Sequence, residues 1–373
     1  MKKVFVGMSG GVDSSVTAAL LVAAGYDVTG VFMKNWARDL PGFKCPWRED
    51  LADAKRVAVQ LGIPFKIYDF QDQYRYKVVD YMITEYKAGR TPNPDIMCNQ
   101  EVKFKLFLET ALEDGADLIA TGHYARIGKN ANSESSKPSQ PQTTNYKLPT
   151  TNYQLQTAAD QNKDQTYFLY RMTEDALSKT LFPLGEMTKP EVRKKAAELG
   201  LITAEKKDSV GICFVGEIGI KEFLKNFVST EPGAIVEKSS RRVVGEHDGA
   251  LYYTIGQRHG LNVGGGMPYY VVGKDMATNE VYVSTDLNDP DLWHQSITIT
   301  DEHWINGLDL GSQIPDLRVR TRHRGLLTEV TRVEEQPDGG YELTLKDEIR
   351  ALAPGQSAVL YQNEICLGGG IIV

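Results

Sequence analysis

Cysteine is scarce in this chain: four residues in 373, Cys45, Cys98, Cys213 and Cys366. Such spacing excludes a disulfide framework, and with no CxxC pair it argues against a structural zinc site. Long hydrophobic runs are missing as well. None reaches the roughly 18 residues that span a bilayer. The N-terminus carries Lys2, Lys3 and a short apolar run that stops at Gly7 with no cleavage site after it, which predicts a first strand and not a secretory leader. An excess of positive charge is absent too, since 42 Lys and Arg face 49 Asp and Glu for a net charge of -7. That excludes a chain that coats nucleic acid nonspecifically, while an enzyme with a local basic patch stays open. Nor does the chain contain a GxxxxGK[ST] phosphate loop.

What is present is a strand–helix alternation in the first third. Val4 to Met8, Val28 to Met33, Phe65 to Phe70 and Leu118 to Thr121 read as strands. Helical patterns lie at Val16 to Ala24, Leu51 to Leu61, Tyr74 to Lys87 and about Val102 to Glu113. This predicts an α/β domain with a doubly wound parallel sheet, whose ligands bind at the carboxyl ends of the strands. Residues 129–157 break the pattern with Ser, Thr, Asn, Gln and Pro and a repeated TTNY, and read as a disordered surface insertion. Beyond about Gly211 short β-branched runs and glycines take over, among them Leu251 to Ile255. They predict a small β-rich central domain and a C-terminal β-barrel. The expected divisions are 1–215, 216–287 and 288–373.

Three segments carry chemistry. Ser9-Gly10-Gly11-Val12-Asp13-Ser14-Ser15 joins the first strand to the first helix. Its glycines let backbone approach a phosphate, the helix N-terminus offers N–H groups, and Asp13 is a candidate ligand for Mg²⁺. In Thr91-Pro92-Asn93-Pro94-Asp95-Ile96-Met97-Cys98 two prolines stiffen a loop that delivers Cys98 ahead of a helix bearing Lys103 and Lys105. A helix N-terminus and nearby cations favour a thiolate. Cys213 sits between Gly211 and Gly216, about 115 residues downstream of Cys98, so only the fold brings the two together. His123, beside Gly122, reads as structural. Arg318, Arg320, Arg322, His323 and Arg324 fall on an expected strand whose even positions would align four arginines on one face.

SGGVDSS resembles the PP-loop of N-type ATP pyrophosphatases, which split ATP into AMP and pyrophosphate and adenylate a carbonyl or carboxylate oxygen. With VFMKNW, NPDIMCN, TGHYAR, NKDQTYFLY, GICFVGE, TIGQRHGL and PGQSAVLYQNEICLGGGII, the chain resembles the tRNA-specific 2-thiouridylase (MnmA) family over almost its whole length. The resemblance breaks at 129–157. It implies ATP on Gly7, Met8, Ser9, Gly10, Gly11, Val12, Asp13 and Ser14, with Met33 and Gly122 near the adenine. It implies a target uridine gripped by Asn93, Pro94 and Asp95, with Asp95 as acid or base. Cys98 matches the nucleophile and Cys213 the persulfide carrier, joined in a transient disulfide. Lys163, Asp164, Gln165, Arg322 and His323 match tRNA contacts. The resemblance further implies a cytoplasmic enzyme that meets tRNA with Lys, Glu or Gln acceptors, ATP with Mg²⁺, and a sulfur donor such as a cysteine desulfurase or sulfur-relay protein. A monomer is the default, with no membrane association.

Two rivals remain at this point. An amidating synthetase with the same loop would adenylate a carboxylate and have no use for Cys98 and Cys213. A tRNA-binding module with a relic loop would release no pyrophosphate.

Overall fold

The computed structural model describes all residues except 40, 42–44, 130–152, 208–218, 265, 306, 308–309 and 311–313. Cys213 therefore lies outside the described residues, as does most of the expected insertion. Among the described residues no helix is long and apolar enough to cross a membrane.

The first strands are β1 (Lys3–Gly7), β2 (Asp27–Lys34), β3 (Phe65–Asp69) and β4 (Leu118–Ala120). Next come β5 (Arg126–Lys129), β6 (Tyr153–Gln156) and β7 (Thr180–Leu181). Five of these form a parallel sheet in the order β3-β2-β1-β4-β7. Val4, Val6, Val31 and Ile119 are fully buried because helices cover both faces. The order reverses between β1 and β4. This is the topological switch point, where the carboxyl ends of two neighbouring strands splay into a crevice. Two helices flank it: α1 (Val12–Ala23), leaving β1, and α2 (Trp47–Leu61), arriving after β2.

The central unit holds β8 (Gly233–Glu237), β9 (Val243–His247), β10 (Tyr270–Asp275) and β11 (Glu280–Ser284), in the order β10-β11-β8-β9. Leu251 to Ile255, expected as strand, is not one. Ala250–Tyr252 forms a single helical turn, and its buried side chains pack inward together instead of alternating.

The C-terminal strands are β12 (Trp293–Trp304), β13 (Leu317–Arg320), β14 (Thr328–Glu335), β15 (Tyr341–Arg350), β16 (Ser357–Gln362) and β17 (Ile365–Ile372). They pair antiparallel in the order β12-β15-β14-β13-β16-β17, and β17 returns to β12 to close a six-stranded barrel. Closure requires β17 to run tight against both neighbours. A Cβ on Gly368, at φ +136, would sit 2.2 Å from the His303 carbonyl oxygen. Leu317, Val319, Leu343, Leu345 and Leu360 fill the barrel interior.

The ends of the expected insertion are ordered, contrary to the composition. Arg126–Lys129 and Tyr153–Gln156 form a hairpin, and β6 pairs with β17 through Cys366↔Leu155. Leu155 is a strongly apolar residue among polar neighbours, and it is fully buried. That burial, worth roughly 2 kcal/mol, joins the ladder bonds in holding the hairpin. The N-terminal unit thus lends two strands to the barrel sheet.

Candidate active site

The crevice at the switch point is lined by the Ser9–Ser15 loop. Gly11 caps α1 in extended conformation, and no side chain caps the first turn from that position. The helix N-terminus is thereby left open to an anion. The loop is instead braced from within: Ser14 Oγ accepts from Ser9 N at 3.1 Å, and Ser15 Oγ donates to the Gly11 carbonyl at 2.8 Å. Two glycines allow close approach. A Cβ on Gly10, at φ +76, would lie 2.3 Å from the Asp50 carbonyl oxygen at the start of α2. One on Gly122 would meet Asp13 and Ser14 backbone at 2.8 Å. Met33 reaches Gly7 from β2: a Cβ there would lie 3.0 Å from the Met33 methyl.

Asp13 is engaged. Lys189 Nζ donates to its two carboxylate oxygens at 2.7 and 2.8 Å, and Tyr124 OH donates at 2.8 Å. Sequence reasoning missed Lys189. It stands at the first turn of the helix Lys189–Glu198, where a cation opposes the helix dipole. That misplacement was a readable signal of a nearby anion. The donor set around Asp13 is one carboxylate already held by an ammonium. Among the described residues no cluster of three metal-ligating side chains exists. A single carboxylate paired with an ammonium is not a protein cage for a resident Mg²⁺, so Asp13 stays a candidate only for an ion that arrives with the nucleotide phosphates.

The second segment starts its helix earlier than expected. Asn93 caps it by accepting from Asp95 N at 3.2 Å, Pro94 takes the first helical position, and the helix runs through Met97. Proline at that position starts a helix, so the segment is not a stiff loop. The backbone then widens into i→i+5 bonding over Cys98–Leu106 before Phe107–Glu113 completes the helix. Cys98 consequently lies one turn inside the helix, beyond the reach of the N-terminal dipole, and is 3% exposed. Lys105 is committed to Glu101 at 3.6 Å. Burial pushes the Asp95 carboxyl above the usual carboxylate range, and the charge of Lys103 works against that rise.

This segment is held from outside. Thr91 N donates to the Pro354 carbonyl at 2.7 Å, Gln356 Nε2 donates to the Thr91 carbonyl at 2.8 Å, and Thr91 Oγ1 meets Thr254 Oγ1 at 3.1 Å. Barrel and central unit both grip the residue two positions before Asn93.

His123 is buried between Phe104 and Phe182, with Nδ1 2.7 Å from Thr121 Oγ1. Burial and then Lys103 push its imidazole well below the ordinary range, so it stays neutral.

The expected RNA contacts divide. Asp164 is 1% exposed and pairs with Arg320, so its side chain serves as a brace within the protein. Gln165 Oε1 accepts from Tyr124 N at 2.9 Å, while the Lys163 side chain is half-buried. The row of four arginines does not form. β13 ends at Arg320, and a turn follows in which Arg324 takes φ +60. Arg318, Arg322 and Arg324 are exposed, and His323 stacks on Phe168 with centroids 4.6 Å apart.

A switch-point anion loop, a buried thiol on a capped helix and a barrel gripping that helix define an α/β nucleotide-binding protein with two β appendages. Family models match in the same sequence: "tRNA methyl transferase HUP domain" over residues 2–217, "tRNA methyl transferase PRC-barrel domain" over 221–285 and "Aminomethyltransferase beta-barrel domain" over 294–372. The tRNA-specific 2-thiouridylase MnmA of Bacillus subtilis (strain 168) is 46% identical over 372 residues, covering 99% of this chain and 94% of the relative. MnmA 2 of Geobacillus kaustophilus gives the same values, and MnmA of Listeria monocytogenes EGD-e is 45% identical over 371 residues with the same coverage. The chain belongs to the tRNA-specific 2-thiouridylase family.

Proposed function

We propose that this enzyme replaces the C2 oxygen of the wobble uridine of tRNA with sulfur, releasing AMP and pyrophosphate. The observation that carries the site assignment is the convergence on Thr91. The segment with Asn93, Pro94, Asp95 and Cys98 opens at the switch-point domain and is gripped by both other units. A base delivered there meets nucleotide and thiol together.

ATP lies on Gly7 to Ser14, with Met33 and Gly122 bordering the adenine. Lys189 leaves Asp13 to meet the phosphates. The uridine C2 oxygen attacks the α-phosphorus and pyrophosphate departs, which converts a poor leaving group into AMP. Asp95, held above its usual range, exchanges a proton with the base. The terminal sulfur of a Cys213 persulfide then attacks C2 and AMP leaves, or Cys98 first displaces that sulfur as hydrosulfide. In either order the Cys98 thiolate attacks the inner sulfur. A Cys98–Cys213 disulfide results, and a reductant must reopen it. Mg²⁺ enters with the nucleotide phosphates and not on a protein cage. The domain names above mention methyl transfer, but that chemistry needs neither an oxygen-activating loop nor a thiol pair.

The partners in this reading are tRNA with Lys, Glu or Gln acceptors and a desulfurase or sulfur-relay donor, met in the cytoplasm by a monomer. Lys163, Arg322 and His323 contact the RNA. The test is nucleoside mass spectrometry of unmodified tRNA incubated with ATP, Mg²⁺ and sulfide. Wild type should form ATP-dependent 2-thiouridine, and Cys98→Ser and Cys213→Ser should lose it or nearly so. ATP turnover by wild type without a thiolated base would point to a carboxylate-adenylating enzyme instead.

A further inference from the structure

The helix turn carrying Cys98 is fastened sideways, and the fastening leads to the barrel. Asn99 is 3% exposed, and its Nδ2 donates to the Phe168 carbonyl at 2.9 Å. A carbonyl only accepts, so this bond fixes which way the amide points. Its Oδ1 is then buried with no partner among the described residues. Phe168 belongs to the short helix Thr166–Leu169, directly after Lys163 to Gln165. Its ring packs on His323, with centroids 4.6 Å apart and an interplanar angle of 40°. His323 Nδ1 is also buried and unpartnered among the described residues. His323 stands in the turn after β13, beside the exposed Arg322.

The backbone at Cys98 makes such a fastening consequential. The wide i→i+5 turns of Cys98–Leu106 are weaker than α-helical ones and leave the rotational setting of the turn to side-chain ties. Attack on a sulfur tolerates little misplacement, since an error of about 1 Å can cost on the order of a hundredfold. The two orphaned atoms each forgo a hydrogen bond in this arrangement. A ligand that offered either atom a partner would favour a different setting of this chain of contacts.

We propose that Asn99 and Phe168 are positioning residues that link RNA engagement at Arg322 and His323 to the placement of Cys98. The link runs from the His323 ring through Phe168 and its carbonyl to the Asn99 amide, one residue from the thiol. This inference rests on the tRNA-thiolation reading.

The experiment compares wild type with Asn99→Ala, Phe168→Leu, Phe168→Tyr and the Asn99→Ala/Phe168→Leu pair. It measures kcat and KM of tRNA for thiolation and, separately, tRNA-dependent pyrophosphate release. Asn99→Ala and Phe168→Leu should each lower the thiolation kcat at least about tenfold. The KM for tRNA and pyrophosphate release should stay within about threefold, so activation runs ahead of sulfur transfer. Phe168→Tyr, which keeps the ring, should restore kcat, and the double variant should be no worse than the poorer single one. A raised KM at unchanged kcat, equal loss of both reactions, or multiplicative effects in the pair would overturn the link. Should Asn99→Ala fail to fold, Asn99→Asp removes the donor at constant size and carries the same expectations. A wild type that makes no 2-thiouridine would reject the thiolation reading itself, an outcome distinct from active variants beside an active wild type.

Discussion

Arg320 reaches out of the barrel and places Nη1 3.1 Å from Asp164 Oδ2, with side chains 9% and 1% exposed. The carboxylate also accepts from Ala158 N at 3.1 Å and from Thr166 Oγ1 at 2.8 Å. The guanidinium lies 5.3 Å from the centre of the Tyr361 ring. Two units of the fold are therefore bolted together by a desolvated charge pair.

Asp164→Ala leaves Arg320 buried and unpaired. We expect a loss of about 3–5 kcal/mol in the unfolding free energy, seen as a lower urea midpoint. At a temperature where the variant is folded, its Kd for tRNA should stay within about twofold, because wild-type Asp164 has no exposed surface to offer. Unchanged stability with a large drop in affinity would return Asp164 to the RNA-contact group.

Lys189→Met keeps the aliphatic stem but removes the charge that meets Asp13. Activation of ATP should slow by about a hundredfold, measured as tRNA-dependent pyrophosphate release, with tRNA affinity unchanged. If release is unaffected, the Lys189–Asp13 pair is only a brace.

Asp95 gives a pH test with a definite sign. Burial raises its carboxyl and Lys103 lowers it. If catalysis needs the carboxylate, the rate climbs with pH through a limb lying above the ordinary carboxylate range. Lys103→Gln removes the opposing charge, so the limb should move to higher pH. Asp95→Asn should abolish it. A limb that stays put in Lys103→Gln belongs to another group.

Lys274 is half-buried near the Gly89 end of the Asp80–Lys87 helix, and its amine donates to the Tyr253 carbonyl at 2.7 Å. Burial pushes its pKa down from 10.5 to about 8. Between these values the unfolded chain binds the proton that the folded chain refuses, so stability rises with pH across the window, by up to about 3 kcal/mol. Lys274→Met should therefore be more stable than wild type at pH 7, and the gap should narrow between pH 8 and 10.5. Chemical denaturation across that range measures it; a constant gap would mean that Lys274 does not titrate there.

The nucleotide loop was legible because its signals are local. Strand period, two glycines and a helix start within 15 residues fix β1, the turn and α1. Asn93-Pro94-Asp95 was half legible: a cap residue before a proline announces a helix, yet reading the prolines as stiffeners put Cys98 in a loop. Arg320 was misread because alternation along a strand says which residues share a face, not what covers it. Arg318 and Arg320 do share the outer face of the barrel, but the N-terminal unit, more than 150 residues earlier, covers only Arg320. Leu155 failed for the same reason. A leucine set singly among polar residues shows no period, and its partner Cys366 is far away in sequence.

The hairpin of β5 and β6 also bears on how the chain comes to be folded on the ribosome. Leu155 must wait for Cys366, and at about 5–20 residues per second that delay is on the order of 10 to 40 s. Throughout it the N-terminal unit carries an unsatisfied β edge exposed to any other nascent chain. Assembly of the catalytic half is thus finished by the last strand to be made. Fragments cut between the units, at whatever boundary, inherit that open edge on one side and a barrel missing two neighbours on the other.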